Sequence, residues 1–143
     1  MMKTEEKYYN FWKCLQQRFP IAFKDHCITT NCRYLCVKPG DRTVSIGLCE
    51  KAVCVRLNVP SSNFAKIEVF MQELETLMKQ ANLPGEFKRP AKNYKLKSYA
   101  SFCVNYPIDL ASFSDSQKNV VLDWVYNSWL IFRKYCDSIN FCS

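Results

Sequence analysis

The chain has 143 residues, of which 48% are hydrophobic and 15% aromatic, with only three glycines and six prolines. Those totals predict a single domain, residues 1–143, with a sizeable core, and exclude disordered and fibrous classes. The formal net charge of +7, from 20 basic and 13 acidic side chains, favours polyanionic partners without naming one.

The first predicted element is a helix over 5–19, in which Tyr8, Phe11, Trp12, Leu15 and Phe19 recur at helical spacing. Pro20 disfavours helical geometry at the residue before it and ends that helix. A strand is expected over 33–38, and the turn Pro39-Gly40-Asp41-Arg42 leads into a hairpin over 44–59. With a two-residue turn at Lys51-Ala52, Leu48 would face Val55, Ile46 would face Leu57, and Val44 would face Val59. Ser45, Gly47, Cys49, Cys54, Arg56 and Asn58 fall on the other side. One face is apolar and the other largely polar, which marks a sheet covered chiefly on one side. A second helix is expected over 63–82, with Phe64, Ile67, Phe70, Met71, Leu74, Leu77, Met78 and Ala81 on its apolar face. Residues 86–93 read as a basic linker. A fourth strand over 94–105 would direct Leu96, Ala100, Phe102 and Val104 inward. The last helix, 115–139, opens with the capping box Ser114-x-x-Gln117 and carries Trp124, Trp129 and Phe132 on a broad apolar face. The expected fold class is therefore α+β, in the order α-β-β-β-α-β-α, with a four-stranded, mainly antiparallel sheet and helices packed on one face.

Two family resemblances follow from this order and these residues. Helix, three-strand meander, helix and strand is similar to the core of restriction-endonuclease-like nucleases. Those enzymes hold Mg²⁺ with an Asp on one meander strand and an Asp/Glu-x-Lys on the next. Here the third strand, VCVRLNV, has no acid, Glu50-Lys51 lacks the spacer, and Asp41 lies in a turn, so at most a degenerate relative is implied. The chain more closely resembles a bacterial domain of unknown function that often follows a restriction-endonuclease-like nuclease domain. Phe11-Trp12-x-x-Leu15, the strand with Val55, Leu57 and Val59, Asn63-Phe64, Asp109-Leu110, and the helix with Trp124, Trp129, Phe132 and Tyr135 carry that resemblance over about 8–140. It implies an accessory, non-catalytic role beside a nucleic-acid-processing, defence-type partner, and supplies no catalytic residues.

No apolar run approaches the roughly 20 residues of a membrane helix. The start MMKTEEKYY lacks the apolar stretch of a secretory signal. The expectation is a cytoplasmic protein with no membrane partner, whose nine cysteines are reduced thiols. His26, Cys27, Cys32 and Cys36 are the candidate metal ligands, since zinc prefers His and Cys. They lack paired C-x2-C knuckles, so buried thiols, a surface histidine and no metal are expected. A nucleophilic pair of His26 with a cysteine is the remaining catalytic possibility. With Gly40, Gly47 and Gly85 as the only glycines, neither nucleotide-binding fingerprint can form and no cofactor is expected.

The residues most suggestive of binding are Arg56, Lys88, Arg89, Lys92, Tyr94, Lys95, Lys97 and Tyr99. Lysine and arginine neutralise phosphates and aromatic rings stack on unpaired bases. The expected function is a non-catalytic module that contacts DNA, RNA or a nucleic-acid-processing protein. The alternative is a protein-interaction or assembly subunit, such as a homodimer, that uses a free sheet face or edge.

Overall fold

Alternation of apolar and polar residues builds the sheet. The computed structural model, which describes residues 4–36, 43–49, 51–110 and 114–139, shows it as six antiparallel strands. They are β1 (Cys27–Ile28), β2 (Tyr34–Cys36), β3 (Val44–Cys49), β4 (Ala52–Pro60), β5 (Glu86–Lys88) and β6 (Tyr99–Pro107), in the spatial order β1-β2-β3-β4-β6-β5. The α+β class holds, but the sheet has six strands rather than four, and the order of helices and strands is α-α-β-β-β-β-α-β-β-α rather than α-β-β-β-α-β-α. The two additional strands are its edges, and each is too short to show a period. Three of the eight residues of the expected basic linker, 86–88, are thus in the sheet, where Phe87 pairs with Val104 and stacks toward Phe132 at 6.4 Å.

The hairpin register also differs from expectation. Val44 pairs with Leu57, Ile46 with Val55 and Leu48 with Val53, and the last pair is Cys49 with Ala52. The chain therefore reverses between Cys49 and Ala52, and Cys49 does not oppose Cys54. A two-residue shift returns every side chain to its original face. Val44, Ile46, Leu48, Val55, Leu57 and Val59 are accordingly all buried, as the alternation requires. In β6 the alternation holds for Ala100, Phe102 and Val104, which are buried. The strand begins later than expected, because 94–96 form a 3-10 turn, and Leu96 is 87% exposed instead of inward. The turn expected at 39–42 lies outside the described residues.

The helices supply the other half of the core. Helix α1 (Thr4–Arg18) buries Tyr8, Phe11, Trp12 and Leu15. Pro20 ends it and occupies the first turn of the short α2 (Pro20–Phe23). Helix α3 (Ile67–Gln80) buries Ile67, Phe70, Met71, Leu74 and Met78. It starts later than expected, because 61–66 wind as a 3-10 helix, and Leu77 lies at the exposed margin. Helix α4 (Asp115–Ser138) begins with the expected capping box, in which Gln117 N donates to Ser114 Oγ and Ser114 N donates to Gln117 Oε1. At 1.5 Å per residue α4 is about 36 Å long, and it packs against β3, β4, α1 and α3. The buried stripes of α1, α3 and α4 and the apolar sheet face form one continuous core. The Arg18 guanidinium grips the Asp123 carboxylate at 2.7 and 3.0 Å, and so ties α1 to α4 at the surface. Among the described residues no helix is long and apolar enough to cross a membrane.

Gly85 shows how tightly the sheet is covered. Its φ of +156° is one that residues with a Cβ rarely adopt, and an added Cβ would lie 2.5 Å from Val104 Cγ2. Gly85→Ala should therefore destabilise the fold by about 1–3 kcal/mol, read as a lower urea midpoint. An unchanged midpoint would show that β6 yields at Val104.

Candidate binding groove on the polar face of the sheet

Cross-strand register decides which side chains meet on the second face of the sheet. One row runs through Ser45, Arg56, Cys103 and Lys88, on β3, β4, β6 and β5. The next runs through Tyr34, Gly47, Cys54, Asn105 and Glu86. Asn58 faces Ser101, and Pro60 faces Tyr99. Gly47 matters because it lacks a side chain. A Cβ there would stand 2.9 Å from Cys54 Sγ and 3.1 Å from Tyr34 Cε1. The space it leaves admits the Tyr34 ring, and the Arg56 guanidinium lies over that ring at 4.9 Å from its centroid. This is cation–π geometry, which orients the guanidinium and shields one of its faces.

The wall of the groove is the β1–β2 loop. Tyr34 N donates to Thr29 Oγ1, Thr29 Oγ1 donates to Asn31 Oδ1, and Arg33 N donates to the same Asn31 oxygen. Cys32 in that loop takes a φ of +62°, and its carbonyl accepts from Trp12 Nε1 at 2.7 Å. The loop is thus fixed internally and anchored to α1, whose first turn brings Glu5 to the rim. The result is an open cavity of about 770 Å³ whose lining includes Glu5, Thr29, Asn31, Tyr34, Arg56, Asn58, Tyr99 and Ser101. That volume lies within the range of ligand sites, about 300–1,000 Å³. Arg56 is half-buried on its floor, and among the described residues it forms no ion pair with a carboxylate.

The nominated basic segment does not act as one surface. Arg56 and Tyr99 meet in the groove, and Tyr99 is 57% exposed. Lys97 lines a smaller hollow, of about 530 Å³, that shares Tyr99 and Ser101 with it. Lys88 stands on β5 beside Cys103 and pairs with Glu86 at 3.0 Å. Arg89 turns the other way and pairs with Glu68 of α3. Tyr94 packs edge-on against Phe64 at 5.2 Å, so it serves the core. Lys92 and Lys95 are exposed beyond the groove. Tyr34, Thr29 and Asn31 were not anticipated. Tyr34 has the right parity on its strand, but only the register with Gly47 shows that it reaches Arg56.

The other candidates fall elsewhere. His26 is buried, not at the surface: its ring meets Phe23 at 5.0 Å and Trp129 at 5.4 Å. Cys27 and Cys36 are partners across β1 and β2, while Cys32 sits in the loop between them. Among the described residues no three His, Cys, Asp or Glu side chains are grouped to hold a metal ion.

Two thiols on the polar face are electrostatically distinct. Cys54 donates a hydrogen bond to Cys103, which pushes the Cys54 thiol up and holds Cys103 down to about 7 from its ordinary 9.0. Burial opposes ionisation of both, while Arg56 and Lys88 further favour the Cys103 thiolate. Comparison with protein-family models, with curated proteins and with solved structures gives no match for this chain.

The Cys103 shift carries a stability consequence. A thiol whose pKa falls on folding binds fewer protons in the native state, so stability rises with pH between about 7 and 9.0. That gain is lost as pH falls through 7. The urea midpoint of the wild type should therefore rise relative to Cys103→Ser from pH 7 to pH 9. A constant difference would show that folding does not favour the thiolate.

Proposed function

We propose that the protein is a non-catalytic binding module that holds a single-stranded nucleic-acid segment along the polar face of the sheet. The observation that carries this reading is Arg56: a half-buried guanidinium on the floor of an open groove, oriented by Tyr34 and without a carboxylate partner among the described residues. A cation in that setting is available to a phosphate. Tyr99 at the rim offers an exposed ring on which an unpaired base can stack. Asn58, Ser101, Thr29 and Asn31 add polar groups, and Lys97 continues the positive path beyond the groove. The net charge of +7 supports the same partner through long-range attraction. An open groove suits a strand that continues past it at both ends.

Fluorescence anisotropy with labelled 20-mer single-stranded DNA and RNA tests this. Affinity should fall steeply as salt is raised. Tyr99→Ala should weaken binding by about 1–3 kcal/mol, the value of one base stack, and Arg56→Met should weaken it and flatten the salt dependence. No binding at tens of micromolar in low salt, or full affinity in both variants, would overturn the reading.

A second reading, assembly with another chain, is favoured by one observation. β5 pairs only with 103–105, so the stretch 99–102 of β6 has a strand partner on one side only. An exposed strand edge is a template for further pairing. Light scattering at high concentration should show a dimer mass if that edge is used, and a monomer mass throughout would remove this reading.

A further inference from the structure

We propose that Cys103, flanked by Arg56 and Lys88 and diagonal to Cys54 on the same face of the sheet, is a covalent modification site that reacts with hydroperoxides and soft electrophiles, with Cys54 as its resolving thiol.

The geometry is set by register. Cys103 on β6 is the direct partner of Arg56 on β4 and of Lys88 on β5. Directly paired residues in an antiparallel sheet project to the same face with Cβ atoms about 4.5–5.5 Å apart. The sulfur therefore lies between two cationic side chains, in a partly exposed position. Reactive cysteines occupy this kind of electropositive, accessible setting, because the thiolate is the nucleophile. Cys54 lies two residues from Arg56 on β4, diagonal to Cys103 and on the same face. Cys103 Sγ donates to Asn105 Oδ1 at 3.4 Å, an acceptor that favours the protonated thiol and so works against the two cations, and Glu86 faces Asn105 from β5 while it pairs with Lys88. Glu86 is the one carboxylate in these two rows, and it is bonded to Lys88, the direct strand partner of Cys103, so it offsets part of the Lys88 charge. Exposed Cys27 and Cys49 differ from this site, since each has a non-charged strand partner, Cys36 and Ala52.

The chemistry balances in two steps. The Cys103 thiolate attacks the distal oxygen of a hydroperoxide, the O–O bond breaks, and the products are a Cys103 sulfenic acid and, after proton uptake, an alcohol or water. Oxidation of Cys103 removes the thiolate that held the Cys54 proton; Cys54 then attacks the sulfenic sulfur as its proton passes to the departing hydroxide, water leaves, and a Cys54–Cys103 disulfide forms. The hydroperoxide is the two-electron oxidant. Diagonal neighbours have Cα atoms roughly 7–8 Å apart, and relaxed disulfides span at most about 6.8 Å. The bond therefore requires a small shift of β4 against β6 and returns readily to dithiol under mild reductant.

The decisive measurement uses the wild-type protein. Alkylation by iodoacetamide, mapped by mass spectrometry, is followed at Cys103 from pH 7 to pH 9.5. A thiol half-ionised at pH 7 gains only about twofold in rate over that range, whereas a thiol at the ordinary 9.0 gains more than about thirtyfold. Cys103 should show the shallow profile, and Arg56→Met with Lys88→Met should steepen it. Equimolar hydrogen peroxide should give a peptide joining Cys54 to Cys103 in the wild type. In Cys54→Ser it should give a dimedone adduct at Cys103. A thirtyfold rise at Cys103, or dimedone spread equally over Cys27, Cys49 and Cys103, overturns the assignment. None of these readings depends on nucleic-acid binding.

Discussion

The structure depends on one constraint: β4 is paired on both sides, along its whole length with β6 and over six positions with β3. A strand held this way has no freedom to rotate, so its two-residue period divides its side chains without exception. Val53, Val55, Leu57 and Val59 enter the core, and Cys54, Arg56 and Asn58 enter the other face. The core and the groove are therefore two consequences of a single register. Fully burying side chains of this size contributes roughly 1.5–3 kcal/mol each, which is ample to hold a half-buried arginine on the far side of the same strand. α4 lies against β3 and β4, the pair whose apolar face is most completely formed, and α1 and α3 complete the cover.

The sequence made the long elements legible because they repeat. The stripes of α1, α3 and α4 each recur over several turns, and the Ser114–Gln117 capping box marks its helix start by chemistry alone. β1 and β5 could not be read in the same way, since two or three residues carry no period and their pairing partners lie elsewhere in the chain. The hairpin was assigned to the right faces with the wrong partners. Turns at 50–51 and at 51–52 give registers that differ by two residues, and a period of two cannot distinguish them. Leu96 failed for a related reason. Its parity matches that of Ala100 and Phe102, but the strand begins only at Tyr99, after a 3-10 turn that removes Leu96 from the alternation.

The site was legible where it follows from alternation and hidden where it follows from pairing. Arg56 and Tyr99 could be placed on the polar face from their own strands. Tyr34 required the knowledge that Gly47 stands opposite it and leaves room for its ring. The basic run at 88–97 misled because local charge density carries no direction. Arg89 turns to Glu68, and Tyr94 turns to Phe64, while Lys88 remains with the sheet. The same limit hid Cys103. Nothing within a few residues of it in the chain is basic except Lys97, and its cationic neighbours arrive from β4 and β5.

Arg56 joins the two features of the polar face. It lies over Tyr34 on the groove floor and stands opposite Cys103 in the sheet. A guanidinium cannot lose its proton in this range, so its charge is shared rather than switched. A thiolate at Cys103 draws on the same positive field that a phosphate in the groove would use. By linkage, an anion bound at Arg56 must favour the protonated thiol, and the protonated thiol must favour the anion by the same factor. Lys88 adds to the stabilisation of the thiolate from β5, on the other side of β6 from Arg56. In the proposed reading, the place of Arg56 between the groove and Cys103 is what would set the chemistry of the thiol against occupancy of the groove.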